Sequence, residues 1–88
     1  MKLGIPLKKT NEKIPVRIPE EFGGAIRNAR KAAGLTQADA AAMCQVGTRF
    51  LSDLENGKAS IQLGKALQVL RALGLTMSLS PKNITNER

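Results

Sequence analysis

The sequence predicts an all-α fold of four to five helices that ends in a short β-strand. Between residues 20 and 74, apolar residues recur three and four positions apart, which is the spacing of one helical face. Glycines at positions 34, 57 and 74 stand where three of these stretches end, as expected at helix C-termini. In "LTMSLS", residues 75–80, the period shortens to two, which indicates a strand with one buried face.

The chain has 88 residues, which suits one domain with four segments. We assign a basic, proline-containing arm to 1–19, the helical domain to 20–74, a dimerisation strand to 75–80 and a tail to 81–88. A domain this short buries only about 60–65% of its unfolded surface. A second copy would therefore add stability by supplying more apolar area.

The first helix is predicted to begin at Pro19, because proline suits the first helical position and Glu20 and Glu21 suit the positive end of the helix dipole. Gly34 ends it. Its apolar face has spacings of four, three and four and consists of Phe22, Ile26, Ala29 and Ala33.

The next two helices are short. Thr36 is the candidate N-cap of "QADAAAMC", and within that helix we expect Ala40, Met43 and Cys44 to face inward. A tight break at "QVG" leads to a third helix from about Thr48 to Asn56, which Gly57 stops. One side of this third helix is apolar (Phe50, Leu51 and Leu54), and the other presents Arg49, Ser52, Asp53 and Asn56.

The fourth helix and the predicted strand complete the domain. Leu63, Ala66, Leu67, Leu70 and Leu73 follow helical spacing up to Gly74. In the strand, Leu75, Met77 and Leu79 alternate with polar residues, and Pro81 stops it. A lone strand cannot pair its backbone groups, so it needs either the N-terminal arm or the same strand of a second copy.

The composition argues against an enzyme, a zinc site and a membrane protein. The chain has no His, Trp or Tyr and a single cysteine, Cys44, so general bases and metal ligands are scarce and no cofactor is expected. We interpret Cys44 as an inert core thiol, which fits a reducing compartment. No apolar run reaches the roughly 18–20 residues of a membrane span, and the N-terminus does not resemble a signal peptide, so the cytoplasm is the expected location.

The net charge of +7 suggests an anionic partner, but the charge is unevenly placed. Residues 1–19 carry five basic residues and one acid, whereas residues 20–79 carry seven bases and five acids. The arm could bind an anion or could be a solvated basic tail. Charge alone does not identify the partner.

The second and third predicted helices are joined by a short turn that contains a glycine, which is the layout of a helix-turn-helix motif. The stretch "GLTQADAAAMCQVGTRFLSDLENGK" resembles the lambda-repressor-like, or xenobiotic-response-element, family over roughly residues 20 to 74. The resemblance implies a four- to five-helix DNA-binding domain whose third helix enters the major groove. The matching signals are Gly34-Leu35-Thr36-Gln37, Ala41, Val46 and Leu54-Glu55-Asn56-Gly57-Lys58.

A narrower resemblance covers residues 49–79. "RFLSDLENGKASIQLGKALQVLRALGL", followed by a short strand, is similar to the HipB-type antitoxins. It implies a homodimer whose C-terminal strands pair across the two copies, and a repressor of its own operon that binds a near-palindromic double-stranded DNA operator. It also implies a HipA-type serine/threonine kinase toxin as partner. A stand-alone phage-type repressor, or a protein-interaction module without DNA binding, remains an alternative.

The resemblance implies DNA contacts from the start of the third helix: Gly47, Thr48, Arg49 and Ser52. The planar guanidinium of Arg49 matches the O6 and N7 acceptors of guanine, so we expect it to read a base. The alternatives are a contact to phosphate or a solvated surface side chain. Gln37 and Lys58 are expected to lie at the DNA backbone, with ordinary surface roles as their alternatives. The family often has a capping serine at the position of Gly47, so the cap here falls to Thr48 or, weakly, to Gly47.

Arg30 and Glu55 are interpreted as structural residues. In related phage repressors the matching positions form a largely buried ion pair, so the resemblance implies the same pair here. Glu55 is therefore left out of the DNA-binding set.

Overall fold

The computed structural model describes residues 13–82 of the chain. Within that range it contains four helices: α1 (Pro19–Ala32), α2 (Gln37–Cys44), α3 (Thr48–Glu55) and α4 (Leu63–Ala72). The all-α fold predicted from the sequence is confirmed. Residues 1–12 of the predicted arm and residues 83–88 of the predicted tail lie outside the described part.

Helix α1 begins as its sequence predicts, with Pro19 in the first turn. No side chain caps it at Ile18, but Glu21 reaches back, and its Oε1 accepts a hydrogen bond of 2.6 Å from the backbone N–H of Arg17. The same hydrogen bond and the guanidinium of Arg17 hold the pKa of Glu21 below its ordinary value. The contact fixes the direction in which residues 13–17 leave the helix.

The core is aliphatic and lies around α3, which packs against α1 and α2, while α2 packs against α4. Phe22 and Phe50 are only partly buried and line the edge of the core. The buried apolar residues are Ile26, Ala40, Ala41, Cys44, Leu51, Leu54, Ala66, Val69 and Leu70.

Two predictions about inward-facing residues are wrong. Met43 is exposed, because α2 buries Ala40, Ala41 and Cys44, and Met43 lies about 100° around the helix from the centre of that face. Ala33 is also exposed, because it is the C-cap of α1 and lies beyond the last turn that packs on the core.

Gly23 allows α1 and α3 to approach closely. A Cβ at position 23 would meet the carbonyl oxygen of Glu55 at 2.6 Å and would also clash with the backbone carbonyl of Leu54. The neighbouring Gly24 has open space at the same point. Gly23 therefore brings the backbone of α3 against α1, and only a residue without a side chain permits that distance.

The predicted strand at 75–80 is not observed in the single chain. Residues 75–82 have no regular secondary structure, and the only backbone hydrogen bond found there joins the Leu75 N–H to the Leu70 carbonyl. Leu75 is half-buried, but Leu79 is 94% exposed. The physical reason is the missing partner, because a strand needs a second strand to bond its backbone groups.

Candidate nucleic-acid interface

The candidate interface is built on α2, the turn after it and α3. Thr36 caps α2, since its Oγ1 accepts a hydrogen bond of 3.0 Å from the Asp39 N–H. At the other end of α2, Gln45 adopts the left-handed conformation with φ 62°. The side chain of Gln68, from α4, donates to the Cys44 carbonyl at 2.7 Å and so satisfies a carbonyl at the end of the helix.

Helix α3 has an inner and an outer face. Leu51, Leu54 and Glu55 are buried against the domain, and Val46 packs on the same core just before the helix. The outer face presents Thr48 and Arg49, both exposed, with Ser52 half-buried beside them. The side chain of Arg49 is 90% exposed, so its guanidinium is free to reach a ligand.

The start of α3 has no side-chain cap. Gly47 occupies the N-cap position with extended backbone, and Thr48 is the first helical residue. The first N–H groups of α3 are therefore free of a capping side chain. Free N–H groups at a helix start favour an anion such as phosphate.

Asp53 organises two cations on the outer face. Its carboxylate lies 3.8 Å from the Nε of Arg49 and 3.6 Å from the Nζ of Lys58. Both pairs are solvent-exposed and so contribute little to stability. Asp53 was not among the predicted site residues, although the spacing of four from Arg49 is that of an ion pair on a helix.

Gln37, at the start of α2, is hydrogen-bonded to α3 through Glu55. Its Nε2 donates to the Oε1 of Glu55 at 3.0 Å, and the side chain is only part-buried. The same carboxylate receives the guanidinium of Arg30 through two bonds, Nε to Oε2 at 2.6 Å and Nη2 to Oε1 at 2.9 Å. The third bond of Arg30 goes to the Leu35 carbonyl at 2.8 Å.

The buried pair formed by Arg30 and Glu55 agrees with the sequence prediction. Burial alone would raise the pKa of Glu55, but the hydrogen bonds from Arg30 and Gln37 and the charges of Arg30 and Arg27 outweigh it and hold that pKa below its ordinary value. The hydrogen bond to Glu55 raises the pKa of Arg30. Both groups are therefore charged, and they lock α1, α2 and α3 together beneath the outer face.

Arg27 adds a cation that the sequence did not single out. Its Nη2 donates to the Oδ1 of Asn56 at 3.1 Å, and its Nε lies 3.7 Å from Glu55. A half-exposed guanidinium thus stands at the C-terminal end of α3. The spacing of three between Arg27 and Arg30 was the available signal, because it places both on one side of α1.

All of the predicted site residues lie on α3, cap it or are connected to it by a side-chain contact. Thr48, Arg49 and Ser52 lie on α3, Gly47 caps it, Lys58 reaches it through Asp53, and Gln37 reaches it through Glu55. Among residues 13–82, no group of three or more His, Cys, Asp or Glu could hold a metal ion. None of the described helices is long and apolar enough to cross a membrane.

Comparisons with known proteins agree with this geometry. The family described as "Helix-turn-helix" matches residues 26–79. An uncharacterized HTH-type transcriptional regulator, y4mF, from Sinorhizobium fredii (strain NBRC 101917 / NGR234) is 41% identical over 64 residues, which cover 73% of this chain and 84% of that protein.

Solved structures show the same fold. A chain of the HipA-HipB-O2-O3 complex and one of the HipB-O4 20mer complex each give a TM-score of 0.72 at 22% identity, covering 81% of this chain and all of theirs. At this identity the likeness establishes the fold alone. The family match over residues 26–79 and the 41% identical regulator establish the family as well. The chain belongs to the helix-turn-helix family of DNA-binding transcriptional regulators, which are not enzymes.

Proposed function

We propose that the protein is a homodimeric, sequence-specific repressor that inserts α3 into the DNA major groove. The observation that carries the proposal is the exposure of Arg49 at the start of a helix whose opposite face is fully packed. A recognition helix reads base edges with its N-terminal residues. Arg49 stands at that end of α3, and within residues 13–82 its guanidinium pairs only with Asp53.

Arg49 is proposed to contact a base, and the surrounding groups are proposed to contact phosphate. A guanidinium donates two parallel hydrogen bonds to the O6 and N7 of guanine. The ion pair of 3.8 Å with Asp53 is exposed and weak, so little free energy opposes its exchange for a base. Thr48 and Ser52 add hydroxyl donors, and the N–H groups after Gly47 suit a phosphate.

Gln37 and Lys58 are proposed to hold the DNA backbone on the two sides of α3. Gln37 bonds Glu55 through its amide nitrogen, which keeps the side chain beside α3. Its amide oxygen makes no hydrogen bond to the described residues and can accept one from a ligand. Lys58 is more than half exposed and is held by Asp53 near the end of α3. Contacts of this kind set the position of a protein on DNA without reading the sequence.

The dimer is proposed to form through residues 75–80. Within residues 13–82, positions 76–80 make no backbone hydrogen bond, and the side chains of Met77 and Leu79 are exposed. Two copies related by a two-fold axis would place their α3 helices in successive major grooves, about 34 Å apart, on a near-palindromic operator. The fold likeness to HipB chains supports this arrangement.

Within this function we favour an antitoxin that represses its own operon in the cytoplasm and binds a HipA-type serine/threonine kinase toxin. The support is the likeness to a chain from the HipA-HipB-O2-O3 complex. The test is whether the neighbouring reading frame encodes a kinase-like protein that co-purifies with the tagged chain. A regulator that stands alone in its operon and captures no such protein would instead be a repressor of the phage type.

The DNA function is tested by selecting bound duplexes from a random pool with the purified wild-type chain. We expect a two-fold-symmetric consensus and binding that weakens steeply with salt, because Lys and Arg displace counterions from phosphates. Genomic fragments at low and high salt provide the control for non-specific binding. A pool that shows no enrichment would favour a protein-interaction module without DNA binding.

A further inference from the structure

Two segments that flank the helical domain leave an apolar groove between them. The groove measures about 820 Å³, and its walls are residues 13–16 on one side and residues 75–79 on the other. Its floor is formed by Phe22 and Ala25 of α1 and Leu70 of α4. The two walls are therefore held apart over the helices by a space that residues 13–82 do not fill.

Backbone hydrogen bonds do not connect the two walls. Among the described residues, none joins 13–16 to 75–79, and 76–82 make no backbone hydrogen bond. Backbone N–H and C=O groups need hydrogen-bond partners once an occupant shields them from water. A further extended segment lying in the groove could bond to both walls.

Residues 13–17 form no helix or turn, and their sequence suits an edge strand. Alternate residues of an extended chain direct their backbone groups to opposite sides. On one side, Pro15 has no N–H, and the N–H of Arg17 is bonded to Glu21 at 2.6 Å. On the other side, Ile14 and Val16 have backbone groups with no partner among the described residues. Proline is tolerated in a sheet when its N–H side faces outward at an edge.

The side chains of both walls alternate in the same way. Ile14 and Val16 are 63% and 45% exposed, and Met77 and Leu79 are 47% and 94% exposed. Exposed apolar side chains at every second position are typical of a sheet face that is covered in the complete assembly. The groove therefore fits an occupant that is itself an extended segment with one apolar face.

We propose that residues 75–79 of a second copy occupy this groove, so that residues 13–16 of one protomer pair with residues 75–79 of the other. Two-fold symmetry makes the exchange reciprocal. The result is a sheet of four strands, in which the two C-terminal segments lie at the centre and the two N-terminal segments lie at the edges. Pro15 then stands on an outer edge.

This inference rests on the proposed homodimer and adds to it a contact from the N-terminal segment. If the two C-terminal segments paired through the edges that face away from the groove, the groove beside residues 13–16 would stay empty in both copies. In the four-stranded arrangement, residues 75–79 of each protomer fill the groove of the other. It also predicts that the segment before α1 determines dimer affinity.

Cross-linking between differently tagged chains tests the contact directly. One chain carries Val16→Cys and the other carries Met77→Cys, Leu75→Cys or Leu79→Cys, which covers a shift in register. The buried Cys44 stays in place, because burial raises the pKa of its thiol and keeps it unreactive. We expect a disulfide between the two tagged chains for at least one pair, since paired strands bring Cα atoms within disulfide range.

The matched control replaces Met77→Cys by Asn28→Cys, at an exposed position of α1 outside the groove. Sedimentation provides a second measurement. Val16→Asp is expected to raise the dimer dissociation constant by about tenfold or more, because it buries a charge at the interface. Asn28→Asp introduces the same charge and should leave that constant unchanged.

The proposal is overturned if wild-type dimers form but position 16 cross-links no faster to 75, 77 or 79 than to 28. It is also overturned if Val16→Asp and Asn28→Asp dimerise equally well. In either case a wild-type chain that still selects a two-fold-symmetric DNA site leaves the repressor function intact. A wild-type chain that is monomeric at all concentrations removes the dimer and this contact together.

Discussion

The two faces of α3 differ in how completely their polar groups are satisfied. On the inner face, Glu55 is buried and receives hydrogen bonds from Arg30 and Gln37. On the outer face, Arg49 is 90% exposed, and its one ion pair with a described residue is the 3.8 Å contact with Asp53. The two faces of this eight-residue helix therefore have different roles. The inner face stabilises the fold, and the outer face is accessible to a ligand. Substitutions on the two faces should therefore separate stability from DNA binding.

The largest effect is expected for Glu55→Ala. It leaves Arg30 charged, buried and without its carboxylate, which costs about 3–5 kcal/mol of unfolding free energy. Urea denaturation measures the loss. The double variant Arg30→Met with Glu55→Met should regain part of it, because it removes both charges. If the double variant is less stable than Glu55→Ala, the lost packing and not the unpaired charge determines the cost.

Gly23→Ala should be nearly as damaging. Its methyl group would stand 2.6 Å from the Glu55 carbonyl oxygen, so α1 and α3 must separate, at a cost of about 3 kcal/mol. Gly24→Ala is the matched control, because its methyl group meets open space and should stabilise the helix by about 0.5–1 kcal/mol. Thermal melts of the two variants should shift in opposite directions, and equal shifts would contradict the close helix approach.

Acid should weaken the inner face. The folded pKa of Glu55 lies below its unfolded value, so this group stabilises the fold above the unfolded pKa and loses that contribution as pH falls. We expect stability to decline as the pH drops below about 4.3, the ordinary pKa of glutamate. Denaturation of the wild type and Glu55→Gln between pH 3 and 6 checks this. A variant with the wild-type pH dependence would show that other carboxylates are responsible.

Only a small effect on stability is expected for Asp53→Asn. Its ion pairs with Arg49 and Lys58 are exposed, so the unfolding free energy should change by about 0.5 kcal/mol or less. Non-specific DNA affinity should rise by about threefold or more, because a negative charge is removed beside the phosphates. Glu20→Gln on α1 provides the same charge change elsewhere. An equal gain from both variants would mean that net charge alone is responsible.

Local signals in the sequence were sufficient for the helix boundaries. Proline and glycine determine backbone geometry by themselves, and Gly34, Gly57 and Gly74 do adopt positive φ angles of 75°, 81° and 79°. The buried ion pair was also expected, through the family resemblance. These features depend on residues close together in the chain or on a family motif, so they can be predicted from a single sequence.

Features that depend on contacts between distant segments were missed. The need for glycine at position 23 arises from the backbone of α3, more than thirty residues later. The left-handed Gln45 and its neighbour Cys44 accept hydrogen bonds from Gln68 of α4, which no local pattern indicates. The predicted strand at 75–80 depends on a partner strand, and residues 13–82 of one chain do not supply one.

The central claim is that the outer face of α3 binds DNA while contributing little to the fold. The most direct test is Arg49→Ala beside Arg71→Ala, an exposed arginine of α4, with unfolding free energy and operator affinity measured for both. We expect both variants to keep wild-type stability, and only Arg49→Ala to lose about 1–3 kcal/mol of binding, with relaxed preference at one base pair. Equal operator affinity for the two variants, or loss of folding in Arg49→Ala, would contradict the account.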